Sequence, residues 1–166
     1  MGATSSQPAT DAHGRRTNPN PTDAMTDEGP AELTLRIELS DDDMDQLGHL
    51  NQARYHRFLG TTRGRLLASR VERGNSGAFV IARIELDHHR EVLRTDGHVE
   101  AWARVVRVGE KSVTIENELR RPDGTLVASG LAIMVAWDEI GRCSRPLTDA
   151  ERVALAGTRD MDTPAR

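Results

Sequence analysis

The chain has 166 residues, of which 37% are hydrophobic and 29% charged, with a mean hydropathy of −0.56. A net charge of −4 and a pI near 5.9 give no electrostatic case for nucleic acid, and no run approaches the ~18 apolar residues of a membrane span. Cys143 is the single cysteine, which excludes an intrachain disulfide or a cysteine zinc site and makes a reducing cytoplasm the expected compartment.

Residues 1–29 are rich in Ser, Thr, Pro, Asn, Gly and Asp and carry almost no large apolar side chains. They cannot bury enough surface to offset the entropy of ordering, so a disordered tail is expected. They also lack the apolar core of a secretory signal. Met25, just before the globular part, is a candidate alternative start. One domain is expected over residues 30–156, with a frayed end at 157–166.

Ala31 to Leu39 alternates, with Leu33, Leu35, Ile37 and Leu39 on one face and Thr34, Arg36 and Glu38 on the other, the pattern of a strand with one wet face. An acidic loop, Asp41 to Asp43, follows and runs through Asp45 and Gly48 into a helix expected from about Asn51 to Val71. Tyr55, Phe58, Leu59, Thr62 and Leu66 fall on one stripe of that helix. Asn51 stands where an N-cap belongs. Gly60 and Gly64 weaken the helix and predict a neighbour packed close against it. Arg73 to Gly77 breaks the chain.

Four strand-like segments follow: Phe79–Asp87, His98–Val108, Ser112–Arg120 and Thr125–Trp137. In the first, Ala82, Ile84 and Leu86 share a face. Short links at Gly109-Glu110-Lys111 and Pro122-Asp123-Gly124 make the last three an antiparallel meander. Thr148 to Glu151 reads as a capping box opening a short helix with Val153 and Leu155. One strand, a long helix, then four strands specify an α+β domain.

A carboxylate-rich loop leading through a glycine to a helix N-terminus suits reactions that develop negative charge, because first-turn N–H groups and the helix dipole favour it. The run Asp43, Asp45, Gly48, His49, Asn51 and Tyr55 resembles the signature of hotdog-fold acyl-CoA thioesterases of the 4-hydroxybenzoyl-CoA thioesterase superfamily. That resemblance implies an antiparallel five- or six-stranded sheet wrapped around one long central helix. It implies hydrolysis of an acyl-CoA or acyl-carrier-protein thioester, no cofactor or metal, and a homodimer or homotetramer with sites between subunits.

The resemblance makes Asp45, three residues before the glycine, the catalytic carboxylate, as nucleophile or as general base toward water. Backbone N–H groups near Gly48 to Asn51 would hold the oxyanion. His49 matches a histidine of the plant acyl-carrier-protein thioesterases and is read as either catalytic or structural. The asparagine those enzymes carry two after the aspartate is Leu47 here. Asn51 is a helix cap or a substrate contact, and Tyr55 a core residue or part of the substrate channel. A related subgroup places a catalytic Glu in the long helix, but this helix has none before Glu72.

His88 and His89 adjoin Asp87, but neighbouring side chains on a strand point to opposite faces and cannot easily share a metal. Arg90, Arg94, Arg142 and Arg145 are candidates for the coenzyme A phosphates, with Arg90 and Arg94 placed in the substrate site. Two other readings fit the same fold. One is a hydratase or dehydratase of acyl thioesters, the other a non-catalytic acyl-CoA or carrier-protein binding module.

Overall fold

The computed structural model describes residues 30–71 and 78–157. The expected tail at 1–29 with Met25, the break at 73–77 and the fraying at 158–166 lie outside the described residues. The elements are β1 (Glu32–Glu38), α1 (Gln52–Arg70), β2 (Ala78–His88), β3 (His98–Val108), β4 (Ser112–Arg120), β5 (Leu126–Asp138), β6 (Cys143–Ser144) and α2 (Asp149–Ala156). They form one antiparallel sheet in the order β1-β3-β4-β5-β2, with β6 paired to the end of β5. The sheet curls around α1, the hotdog arrangement. The two-residue β6 has no apolar alternation, which is why the sequence pattern does not reveal it.

The α1 stripe is buried as its spacing requires: Tyr55, Phe58, Leu59, Thr62 and Leu66 all face inward. The helix lies against β1, β3 and β4, and α2 packs on β3 and α1. Two apolar clusters result. One gathers Tyr55, Leu59, Leu119, Val99 and Ala128 near the start of α1, and the other gathers Leu66, Leu67, Ile115, Val113 and Leu155 near its end. Each fully buried Leu or Ile contributes about 1.5–3 kcal/mol from removing apolar surface from water.

Two sequence expectations need correction. Among the described residues no element packs close against the α1 glycines: a Cβ on Gly64 would meet nothing within 4 Å, and one on Gly60 only Arg63 Nη2 at 3.6 Å. In β2 the simple alternation fails because a bulge falls between Ile81 and Arg83. Ile81 rather than Ala82 therefore continues the face of Ile84 and Leu86, opposite Met134, Ala132 and Gly130 of β5.

The capping box of α2 forms: Thr148 Oγ1 accepts from the Glu151 N–H at 3.2 Å and Glu151 Oε2 accepts from the Thr148 N–H at 2.8 Å. Arg145 donates to both carboxylate oxygens of Glu151, at 2.8 and 2.7 Å, so this arginine is engaged in holding the helix start. Burial alone would raise the pKa of Glu151, but the bonds from Arg145 and Thr148 outweigh it and hold the carboxyl below its usual value. Asp43 is depressed in the same way, with burial outweighed by hydrogen bonds from Ser40 and by the charges of Arg54 and Arg57. Both groups bind protons less readily folded than unfolded, so their stabilisation is present above the unfolded carboxylate pKa of about 4 and is lost as pH falls through the lower folded values. Thermal melts from pH 7 down to pH 2 should fall away below about pH 4, and more shallowly in Glu151→Gln. Equal acid sensitivity in that variant would remove Glu151 from the account.

Candidate active site

The loop from Ser40 to Asn51 is fixed by its own polar groups. Asp43 is buried, accepts from the Ser40 N–H and Oγ at 2.8 and 2.7 Å, and pairs with Arg54 at 3.1 Å. Its carboxylate is a structural clasp. Asp45 is different. Its Oδ1 accepts from the Leu47 and His49 N–H groups at 2.8 and 3.0 Å, while among the described residues no group donates to Oδ2. Gly48 has φ +79°, and that left-handed turn brings its N–H to the Asp45 carbonyl at 3.0 Å.

Two bridges sew this loop to the segment after β2. His49 pairs with Leu93, and the Leu50 N–H donates to the Val92 carbonyl at 2.8 Å. The pairing brings Glu91 to the loop, with Oε2 3.1 Å from His49 Nε2. At the end of β2, the exposed His88 meets the buried Tyr55 ring edge-on, with centroids 4.7 Å apart. His89 shares a 2.8 Å contact with Ser129 Oγ. Burial pushes the Tyr55 hydroxyl pKa up, assisted by Asp45 and Glu91 and opposed by Arg121.

These groups surround an open cavity of about 580 Å³ lined by Asp45, His49, Leu50, Gln52, Tyr55, His88, His89, Arg90 and Glu91. Asp45, His49, Tyr55 and Arg90 of the sequence candidates thus meet in one place. Gly48 and Asn51 do not line it. Gly48 shapes the loop and Asn51 Oδ1 accepts from the Ala53 N–H at 2.9 Å, capping α1. Arg94 lies outside the lining and pairs with Asp41 at 2.7 Å.

The backbone amides of Gly48, His49, Leu50 and Asn51 all donate within the protein, to Asp45 O, Asp45 Oδ1, Val92 O and Asp43 O. Gln52 supplies the first-turn N–H with no partner among the described residues. Sequence reasoning missed Gln52 and Glu91. Glu91 lies 46 positions after Asp45 in a segment with no motif, and only the strand pairing brings it in. The adjacent histidines at 88 and 89 were a visible signal, though of a different role.

The sequence profile of the thioesterase-like superfamily matches residues 39–152. A thioesterase from Thermus thermophilus, solved with coenzyme A and zinc, is 28% identical and superposes with a TM-score of 0.66, covering 74% of this chain and 95% of that one. A predicted thioesterase from Bacillus stearothermophilus is 24% identical, with a TM-score of 0.67 and coverage of 75% and 94%. The SAV2348 protein from Staphylococcus aureus, solved with CoA, shares the fold at 16% identity and a TM-score of 0.68, with coverage of 76% and 82%. No curated protein matches the sequence. With the profile spanning the motif loop, α1 and strands β2 to β6, the chain belongs to the thioesterase-like superfamily.

Proposed function

We propose that the protein hydrolyses an acyl-CoA or acyl-carrier-protein thioester to a free acid and a thiol. The observation that carries this reading is Asp45, held by two amide N–H bonds through one oxygen and open at the other, on a cavity beside the α1 N-terminus. Asp45 Oδ2 takes a proton from water, and the hydroxyl adds to the thioester carbonyl carbon. The oxyanion is received by the Gln52 N–H and the positive end of α1. Collapse breaks the carbon–sulfur bond, and the proton held by Asp45 passes to the departing thiolate. His49, tied to Glu91, lines the same cavity and is available to protonate or orient the leaving group. Arg90 is a cation on the cavity wall suited to a coenzyme A phosphate.

Among the described residues the outer edge of β2 is unpaired, with Val80 37% and Ile81 54% exposed. An open apolar edge invites a second copy, and a homodimer joined there would wall the cavity from its far side. No described helix is long and apolar enough to cross a membrane, and the exposed Cys143 thiol suits a reducing cytoplasm.

The test is thiol release from short, medium, long and aromatic acyl-CoAs, with the mass of the active species read by light scattering. Cleavage of at least one class by a dimer or tetramer is expected. Tight acyl-CoA binding without free thiol would instead indicate a binding module. Water addition to an enoyl-CoA would indicate a hydratase.

A further inference from the structure

The reaction outlined above meets its oxyanion with one backbone donor. The amides of Gly48, His49, Leu50 and Asn51 are engaged within the protein. That of Ala53 donates to Asn51 Oδ1 at 2.9 Å, and that of Arg54 to the Asn51 carbonyl at 2.8 Å. Among the described residues, only the Gln52 N–H is left at this end of α1. Each preorganised donor aimed at a developing oxyanion changes kcat by about 10²–10³-fold. The side chains of the cavity wall therefore decide how well that charge is met.

Most polar groups on the wall are engaged or unsuited. Asp45 and Glu91 are carboxylates, which accept rather than donate. His49 Nε2 lies 3.1 Å from Glu91 Oε2, and His89 Nε2 lies 2.8 Å from Ser129 Oγ. Arg90 Nη1 donates to the His89 carbonyl at 2.8 Å. Tyr55, packed against the His88 ring, is three residues further along α1, about 4.5 Å from the helix start. Gln52 differs from all of these. It lines the cavity, it is exposed, and among the described residues its side-chain amide takes part in no hydrogen bond. As the first residue of α1, it has a Cα–Cβ bond that tilts toward the helix start, where the loop carrying Asp45 ends. Its carboxamide offers two N–H donors on a neutral group.

We propose that the Gln52 side-chain amide is the second oxyanion donor, which makes Gln52 a catalytic residue through its side chain as well as its backbone. This rests on the thioesterase reading of the Asp45 site. As Asp45 takes the water proton and the new carbon–oxygen bond forms, the carbonyl electron pair moves onto oxygen. Nε2–H and the backbone N–H of Gln52 hold that oxygen. When the pair returns, the carbon–sulfur bond breaks with its electrons on sulfur, and the Gln52 donors release a neutral acid carbonyl. Both donors come from one residue at a fixed helix start, so little reorganisation accompanies the charge.

Thiol release from the best-cleaved acyl-CoA is compared in the full-length wild type, in Gln52→Met, which keeps the size and removes both side-chain donors, and in Gln52→Glu, which replaces them with acceptors. Gln52→Met should lower kcat by about 10²-fold and leave KM within about threefold of wild type. Gln52→Glu should lose at least as much. Affinity for an S-alkyl-CoA, a thioether with no carbonyl oxygen, should stay within about threefold in both variants. The side chain is exposed, so neither variant should melt differently from wild type. A carboxylate in the first turn suits the helix dipole, so Gln52→Glu decides by the same criteria if Gln52→Met does not fold. A loss in kcat smaller than about tenfold, a loss carried by KM, or an equal loss of thioether affinity overturns the proposal and leaves the role of Asp45 intact. A wild type that cleaves no thioester overturns the thioesterase reading, and this assignment with it.

Discussion

Asp45→Asn is expected to lower thiol release by about 10³-fold, the scale of losing a positioned general base, while the melting temperature stays within about 2 °C of wild type. The separation of the two effects follows from the geometry. Only Oδ1 of Asp45 is engaged by the loop, and an asparagine Oδ1 accepts from the Leu47 and His49 N–H groups just as well. What the substitution removes is the proton-accepting capacity of the second oxygen. Asp43→Asn should behave in the opposite sense, because both Asp43 oxygens are used, one by Ser40 and the other by Arg54. Its charge supports the loop rather than the reaction. Retention of more than about a tenth of wild-type rate in Asp45→Asn would remove Asp45 as the base.

Gly130→Val is expected to destabilise the fold by about 3 kcal/mol or more, the upper range for forcing atoms into a packed interior, and to lower Tm by roughly 10 °C. Gly130 lies in β5 opposite Leu86 of β2, and a Cβ there would sit 2.0 Å from the Glu85 carbonyl oxygen and 3.0 Å from the Leu86 Cα. Both obstacles are backbone, so no rotamer change relieves the clash and β2 must move away from β5. Even Gly130→Ala should show most of the loss. Since β2 carries His88 to Tyr55 and leads into Glu91, activity should fall with stability. A melting temperature unchanged in Gly130→Ala would mean that β2 does not hold this close register in solution. Gly124→Ala gives a useful contrast: its cost comes from φ +83° in open space, and the strand pairing stays in place.

Much of the architecture was legible because apolar spacing reports which face a chain buries. Leu33, Leu35 and Ile37 keep their alternation in β1, and the Tyr55 to Leu66 stripe turns toward the sheet. Capping residues announced their roles through short-range chemistry, with Asn51 opening α1 and Thr148 with Glu151 opening α2.

The sequence by itself determined the order of elements, the helix that the sheet encloses and the loop that bears Asp45, all of which depend on residues within a few positions of one another. Only the tertiary structure decided that β2 lies at the sheet edge with a bulge at Ala82, that Glu91 reaches His49, that the amides of Gly48 to Asn51 are consumed by the loop, and that Arg63 meets Asn117. Those facts depend on which distant strands pair and in what register, and many pairings satisfy the same alternation. A one-residue slip would send Asn117 to the opposite face of the sheet, away from Arg63.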